Sequence, residues 1–384
     1  MVNALSTRRE LRSPIRYVDW FLPLVAIGIS VLGVLMNYSA TWRVLEFEGN
    51  DPYQFAKRQT VFVLIGIVAM TVAALVDYRI VRDLAPQLYL IALAMLVGVL
   101  FIGKEVGGAR AWFQLPGFQL QPSEFGKLAS IAALAAFAAS RDGGLQLNGL
   151  LNSVVLMAVP TLLVLRGGDL GTMLVYIAIT MGVLLVAGTK VRHIVVLTLI
   201  GVAAITFAFT ADDVFGIELL PDRQDERLRA FLDQDSNVTE ANYQLEQSQI
   251  ALGSGGLTGR GYLAGSQTTL NLVPEQETDF IFTAAGEELG FLFGSLPLLA
   301  AYFFLIWRIL RAAQLAADMF GTLLCVGVLS MLLFQIFQNL GMTMGIMPIA
   351  GIPLPFMSHG GSSIITAFVG IGLVLNVRAR RFAT

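Results

Sequence analysis

Apolar residues run along this chain in stretches of about 18 to 29 positions, separated by short clusters of charge, glycine and proline. Stretches of that length match the roughly 20 residues a helix needs to cross a hydrocarbon layer about 30 Å thick. The pattern predicts ten helices, at about 18–38, 57–76, 85–103, 123–140, 149–166, 169–187, 191–210, 279–307, 317–342 and 360–377. The first follows Arg8, Arg9, Arg12 and Arg16. It resembles a signal peptide in that respect, but it is too long and lacks a small-residue cleavage site, so it reads as a retained helix. The largest break, about 211–278, is a long loop between helices seven and eight. Its first half, Pro221 to Phe231, is charged and helix-compatible, and its second half, Gly253 to Gly265, is glycine-rich. The expected fold is therefore an all-α polytopic membrane protein, one integral domain over residues 1–384 with one large extracytoplasmic loop.

Composition agrees with a bilayer as solvent: of 384 residues 56% are hydrophobic and 14% charged, with a mean hydropathy of +0.72. A net charge of -2 and one cysteine, Cys325 in an apolar run, set aside nucleic-acid modules and disulfide scaffolds. The basic residues orient the chain. An even number of spans puts both termini on one side, and that side gathers fourteen of the 25 Lys and Arg, against six in the short opposite loops. By the positive-inside rule the termini are cytoplasmic and the long loop lies outside.

Charge at membrane depth is costly, so each instance is a candidate site. Glu124 and Lys127, in Q-P-S-E-F-G-K, lie three apart on one helix face and can neutralise one another as a structural pair or serve a substrate. Asp279, in T-D-F-I-F, stands where a polar loop meets an apolar run: partial desolvation suits it to general-base work, and its alternative role is a helix N-cap. Glu287 and Glu288 follow in G-E-E-L-G; nine positions place Glu288 on roughly the opposite helix face from Asp279. Residues 341–363 contain Pro348, Pro353, Pro355 and five glycines, which excludes a continuous helix and points to a cavity-lining segment. Gly360-Gly361 then opens the tenth helix, either as a plain turn or as an anion site of free N–H groups. His359 reads equally as an exposed turn residue or a ligand, and His193 as a cytoplasmic anchor.

These segments, taken together, resemble the SEDS family (shape, elongation, division and sporulation), the RodA/FtsW group. The matching pieces are Y-S-A-T (38–41), F-A-K-R-Q (55–59), G-A-R-A-W-F (108–113), Q-P-S-E-F-G-K (121–127), D-L-G-T (169–172) and E-R-L-R-A-F-L-D (226–233). They continue with Y-Q-L-E-Q-S-Q-I-A-L-G-S-G-G-L-T-G-R-G (243–261), P-E-Q-E-T-D-F-I-F (274–282), G-E-E-L-G (286–290) and P-L-P-F-M-S-H-G-G-S-S (353–363). The Y-V-D-W start (17–20) and short N-terminal tail look more like the elongation-type member, RodA, than the division type.

The resemblance implies a peptidoglycan glycosyltransferase of the bacterial cytoplasmic membrane. It would polymerise lipid II with inversion, in complex with a class B penicillin-binding protein. The family's essential aspartate falls on Asp279, which favours catalysis over capping. The substrate residues it implies are Arg110, Trp112, Gln121, Ser123, Glu124, Lys127, Asp169, Arg260, Gln267, Glu288, Ser358, Gly360, Gly361 and Ser362. For the leaving pyrophosphate the candidates are Arg110, Lys127, Arg260 or the Gly360-Gly361 turn. A divalent cation, Mg or Mn, on Asp279 would do the same, though no dense carboxylate cluster demands one. Ala111 stands where the family commonly has arginine, and Gly167-Gly168 where it has Gln-Pro. Two other classes remain open: a lipid II transporter, which midplane charges would suit, and a non-catalytic scaffold for the transpeptidase.

Overall fold

The computed structural model describes residues 18–115, 118–141, 144–215, 222–232 and 240–382. Arg8, Arg9, Arg12, Arg16, Tyr17, Pro221 and Asp233 lie outside the described residues. A helix stands at each of the ten apolar segments: α1 (Phe21–Phe47), α2 (Gln54–Leu75), α4 (Ala85–Ile102), α5 (Pro122–Ala139), α6 (Leu147–Arg166), α7 (Leu170–Val186), α8 (Val191–Phe215), α12 (Ile281–Gly290) and, after a break at Gly290, α13 (Leu296–Gln314), α14 (Met319–Thr343) and α15 (Gly361–Ala379). A short α3 (Tyr78–Asp83) precedes α4. Among the described residues seven helices are long and apolar enough to cross a membrane, α12 and α13 counting as one through the π-helical turn Phe291–Ser295. Pro122–Ala139, Leu170–Val186 and Val191–Phe215 are not among the seven.

Two expectations are corrected. The chain is mostly helical but not all-α: Lys104–Val106 (β1), Ala109–Leu115 (β2) and Phe118–Leu120 (β3) form a small antiparallel sheet between α4 and α5. Gly107 and Gly108 both take positive φ, +62° and +82°, the geometry of a tight hairpin turn, and the G-G dipeptide is the sequence signal for it. The segment 211–278 is also not one loop. α8 runs on to Phe215, and the remainder carries α9 (Asp222–Leu232), α10 (Glu240–Gly255) and the single turn α11 (Ser266–Thr269).

The helices pack around one large apolar core, and α2 lies closest against α15. A Cβ on Gly372 would come 2.4 Å from the carbonyl oxygen of Met70, so only glycine permits that backbone approach. A second, small apolar cluster joins Ala230, Ala241, Leu245 and Ala251 of the outer helices to Val273, Phe280, Met342 and Ile349. It seats α9, α10 and the 273–280 segment over the helix ends.

The non-helical connection 344–360, where proline and glycine forbid a helix, is held by side-chain donors from its neighbours. Asn37 and Gln59 both donate to Met357 O (3.0 and 2.9 Å), Tyr302 to Pro355 O (2.6 Å), Gln338 to Pro348 O (2.8 Å) and Asn339 to Ile352 O (2.8 Å). Irregular backbone within a helical bundle survives where its carbonyls are satisfied in this way.

Candidate active site

Above this connection opens a cavity of about 730 Å³. Its wall brings together Arg58 of α2, Trp112 of β2, Gln121 and Asp169, Arg227 of α9, Glu275 and Asp279, and Gly351, His359, Gly360 and Gly361. Polar and apolar surface are mixed there, as expected of a site for an amphiphile with a charged head.

Asp279 is half-buried in that wall. It does not cap a helix: α12 starts at Ile281, the preceding Phe280 takes the N-cap position, and no side chain caps it. Backbone bonds fix it instead, from its own N–H to Glu275 O (2.9 Å) and from Asn339 Nδ2 to its carbonyl (2.8 Å). Burial pushes its carboxyl up to about 7; the Arg227 guanidinium works against this, while Glu275 and Glu277 add to it. A Cβ on Gly351, whose φ is +63°, would lie 3.4 Å from both Arg227 Nη1 and Asp279 Oδ2, so the guanidinium and the carboxylate flank the same bare backbone.

His359 is half-buried, not an exposed turn residue: its ring lies 4.9 Å from that of Phe55, and its N–H donates to Glu277 O at 2.8 Å. Burial, then the charge of Arg58, lowers its pKa to about 4, so it is neutral near pH 7. Beyond it Gly360 is extended and α15 begins, presenting the first turn of a 19-residue helix to the cavity.

The structure brings some of the sequence candidates to Asp279 and leaves others elsewhere. Trp112, Gln121, Asp169, Gly360 and Gly361 line the cavity. Asp169 also caps α7 through Thr172 N (2.8 Å) and accepts from Gln121 Nε2 (3.0 Å). Ser362 is a tie between walls, accepting from Gln121 N (3.0 Å) and donating to Gln119 O (3.3 Å).

Arg110 is not in the cavity wall. It is exposed and borders a separate small pocket with Ala111, Ser123, Leu96 and Val164. Glu124 and Lys127 close on each other at 2.7 Å, 2% and 1% exposed, inside the first turns of α5. Ser358 is buried, its hydroxyl accepting from Leu354 N at 2.8 Å. Arg260 is exposed and donates to Ser254 O at 3.1 Å. Gln267 gives its N–H to Glu287 (2.8 Å), and Glu288 faces α1, accepting from Ser39 at 2.5 Å. The helix turns Glu288 away from the Asp279 side.

Arg58, Arg227 and Glu275 are cavity residues that the sequence reading did not single out. Arg58 and Arg227 lie within F-A-K-R-Q and E-R-L-R-A-F-L-D, so a motif signal existed; which arginine turns inward depends on tertiary packing.

With this geometry in hand, comparison with known proteins is specific. Residues 19–382 match the model of the FtsW–RodA–SpoVE family, described as cell cycle proteins. The chain is 34% identical over 384 residues to the probable peptidoglycan glycosyltransferase FtsW of Geobacter metallireducens, covering 99% of each. It is 36% identical over 368 residues to the peptidoglycan glycosyltransferase MrdB of Escherichia coli K12, covering 95% of this chain and 94% of that one. To stage V sporulation protein E of Bacillus subtilis it is 34% identical over 363 residues, covering 94% and 96%.

Among solved structures, a chain of a peptidoglycan synthase complex that coordinates polymerization and crosslinking superposes with a TM-score of 0.79 at 29% identity, covering 96% of this chain and 99% of that one. The rod shape determining protein RodA of Thermus thermophilus gives 0.70 at 29%, covering 96% and 98%. The chain is thus a helical polytopic protein of the SEDS class. It belongs to the FtsW–RodA–SpoVE family, and its near-equal identities to FtsW, MrdB and the sporulation protein do not separate the subfamilies.

Proposed function

We propose that this protein is an inverting peptidoglycan glycosyltransferase that polymerises lipid II into β-1,4 glycan strands, of the elongation type, at the outer face of the bacterial cytoplasmic membrane. The observation that carries it is Asp279: a half-buried carboxyl with a pKa near 7, beside Arg227 in a cavity that Arg58 also lines, in a chain of this family. On the reading of ten spans with both termini cytoplasmic, that cavity lies outside, where the disaccharide head of the lipid is presented.

The chemistry follows from the residues present. The acceptor's 4-hydroxyl attacks the anomeric carbon of the donor as the lipid pyrophosphate leaves from the opposite face. Asp279, ionised, takes the hydroxyl proton, a contribution typically of about 10²- to 10⁴-fold. Negative charge gathers on the leaving pyrophosphate, and Arg58, Arg227 and the N–H groups opening α15 are the donors of the cavity wall that meet it. These take the part that the sequence assigned to Arg110, Lys127 and Arg260. Neutral His359 and Trp112 offer flat surfaces for sugar or carrier.

Among the described residues no three His, Cys, Asp or Glu side chains are grouped as a metal cluster. Asp279, with Glu275 near enough to act on it, nevertheless fits the usual demand of Mg or Mn for one or two carboxylates beside substrate phosphates. When bound there, such an ion would neutralise pyrophosphate charge. A single-span class B penicillin-binding protein, the crosslinking enzyme, is the expected partner, in keeping with the solved synthase complex.

The deciding experiment is gel analysis of labelled lipid II with wild-type protein and Asp279→Asn, with and without divalent cation and partner. Glycan ladders from wild type alone support the reading. Lipid II crossing vesicles without ladders under any condition would replace it with transport, and crosslinking support without either activity would replace it with the scaffold.

A further inference from the structure

Gln276 of P-E-Q-E-T-D-F and Glu287 of G-E-E-L-G stand outside the cavity wall, yet both are wholly buried. A buried carboxylate needs donors, and Glu287 has them. It accepts from the N–H groups of Gln267 (2.8 Å) and Thr268 (2.9 Å), and from the hydroxyls of Thr268 (2.8 Å), Ser266 (3.3 Å) and Ser254 (3.5 Å). The chain of bonds continues: Gln276 Nε2 donates to Thr268 Oγ1 (3.2 Å) and to Thr283 Oγ1 (2.9 Å). Thr283 Oγ1 in turn donates to Phe280 O (2.6 Å), which also accepts Thr283 N–H at 2.9 Å.

Thr283 and Glu287 lie four apart on one face of α12. A single run of hydrogen bonds thus crosses from the helix to α11, to the 275–280 segment, and back to the carbonyl of the residue next to Asp279. Thr268, Gln276, Thr283 and Glu287 are each 0–1% exposed, so water cannot stand in for a lost partner.

We propose that Glu287, Thr268, Gln276 and Thr283 form a positioning relay that sets Asp279 for the reaction. This rests on Asp279 acting as the base in the proposed function. The relay holds the main chain on one side of Asp279 while Asn339 holds its own carbonyl, so the carboxylate is aimed from a segment with little freedom. Substrate charge is met by Arg58, Arg227 and the start of α15, none of which belongs to the relay. Breaking the relay therefore misplaces the base without removing the groups that bind.

The test uses the full chain in lipid vesicles with its partner and labelled lipid II. Thr283→Val removes the central hydroxyl; Thr283→Ser keeps it; Thr268→Val breaks the neighbouring link; Asp279→Asn is the control. The expected result is a kcat lower by about 10²-fold for folded Thr283→Val with KM unchanged, the size of effect an ångström of misplacement produces, and recovery in Thr283→Ser. If Asp279→Asn polymerises like wild type, the base reading fails. With Asp279→Asn inactive, the relay alone is overturned by a folded Thr283→Val at wild-type kcat or by a raised KM with kcat kept. It is equally overturned if both valine variants fail to fold, because the bonds would then serve the fold alone.

Discussion

Asn339 of α14 donates 2.8 Å hydrogen bonds from one amide nitrogen to the main-chain carbonyls of both Asp279 and Ile352. One side chain, itself 0% exposed, thereby ties the candidate base to the irregular segment that adjoins it in the cavity wall.

Replacing that amide leaves two buried carbonyls without a donor. Each unsatisfied group costs about 1–3 kcal/mol, so Asn339→Leu is expected to lower stability by that order and to loosen Asp279 at the same time. Thermal unfolding in detergent, read beside polymerisation by the folded fraction, checks both parts. A variant with wild-type melting temperature and activity would show that the two bonds carry neither load.

The elevated carboxyl of Asp279 has two consequences of opposite sense. Activity needs the ionised form, so kcat/KM is expected to rise with pH through about 7 on the acid side. Arg227 favours ionisation, so Arg227→Gln is expected to move that limb to higher pH, whereas Arg227→Lys moves it less. Stability runs the other way. A carboxyl raised from 3.8 to about 7 binds its proton more tightly when folded, so its ionisation costs stability progressively as pH climbs through that window. Asp279→Asn is then expected to melt above wild type at pH 8 and to converge with it near pH 4. An acid limb unmoved by Arg227→Gln, or identical melting at both pH values, would separate the structure from this account.

Much of this was legible in the sequence, for physical reasons. Helices long enough to cross a bilayer announce themselves by apolar length, and proline with glycine marked 341–363 as irregular. Both follow from local chemistry. The β1–β2 hairpin was written in Gly107-Gly108, but three short strands among apolar helices give too weak an alternation to stand out. Site assembly was harder. Asp279 was visible because it carries charge at the edge of an apolar run. That Arg58 and Arg227 line the cavity and Arg110 does not depends on how α2, α9 and the small sheet pack over the bundle, which no local pattern encodes.

Glu124 and Lys127 read from sequence either as a neutral pair or as substrate groups, and their 2.7 Å contact at 1–3% side-chain exposure favours the first for stability. Removing one member strands a buried charge, about 3–5 kcal/mol, so Glu124→Ala and Lys127→Ala are each expected to reduce the folded yield sharply. The uncharged double variant Glu124→Gln/Lys127→Met is expected to regain most of it. Folded single variants that insert normally but do not polymerise would instead assign the pair to the reaction.

At the far end of the bundle Asp19, 2% exposed, accepts from Arg308 Nε at 2.8 Å and pairs also with Arg378, joining the start of α1 to the ends of α13 and α15. Arg308 lies above the rings of Phe21, Phe304 and Trp307 at 5.5–5.8 Å, so its position is set by packing as well as charge. Asp19→Asn would leave two guanidinium groups facing each other without their counter-ion, a loss on the order of 3–5 kcal/mol, reduced somewhat because the arginines are 14–18% exposed. This clamp lies about 25 Å along α15 from Gly361 of the cavity wall, at 1.5 Å per residue, so activity per folded molecule is expected to stay at the wild-type level. The profile is the reverse of that for Asp279→Asn, which should fold and not react. Melting temperature and single-turnover polymerisation on both variants test the contrast: a stable but inactive Asp19→Asn would mean that the clamp communicates with the cavity, and the separation of scaffold from site argued from the structure would fall.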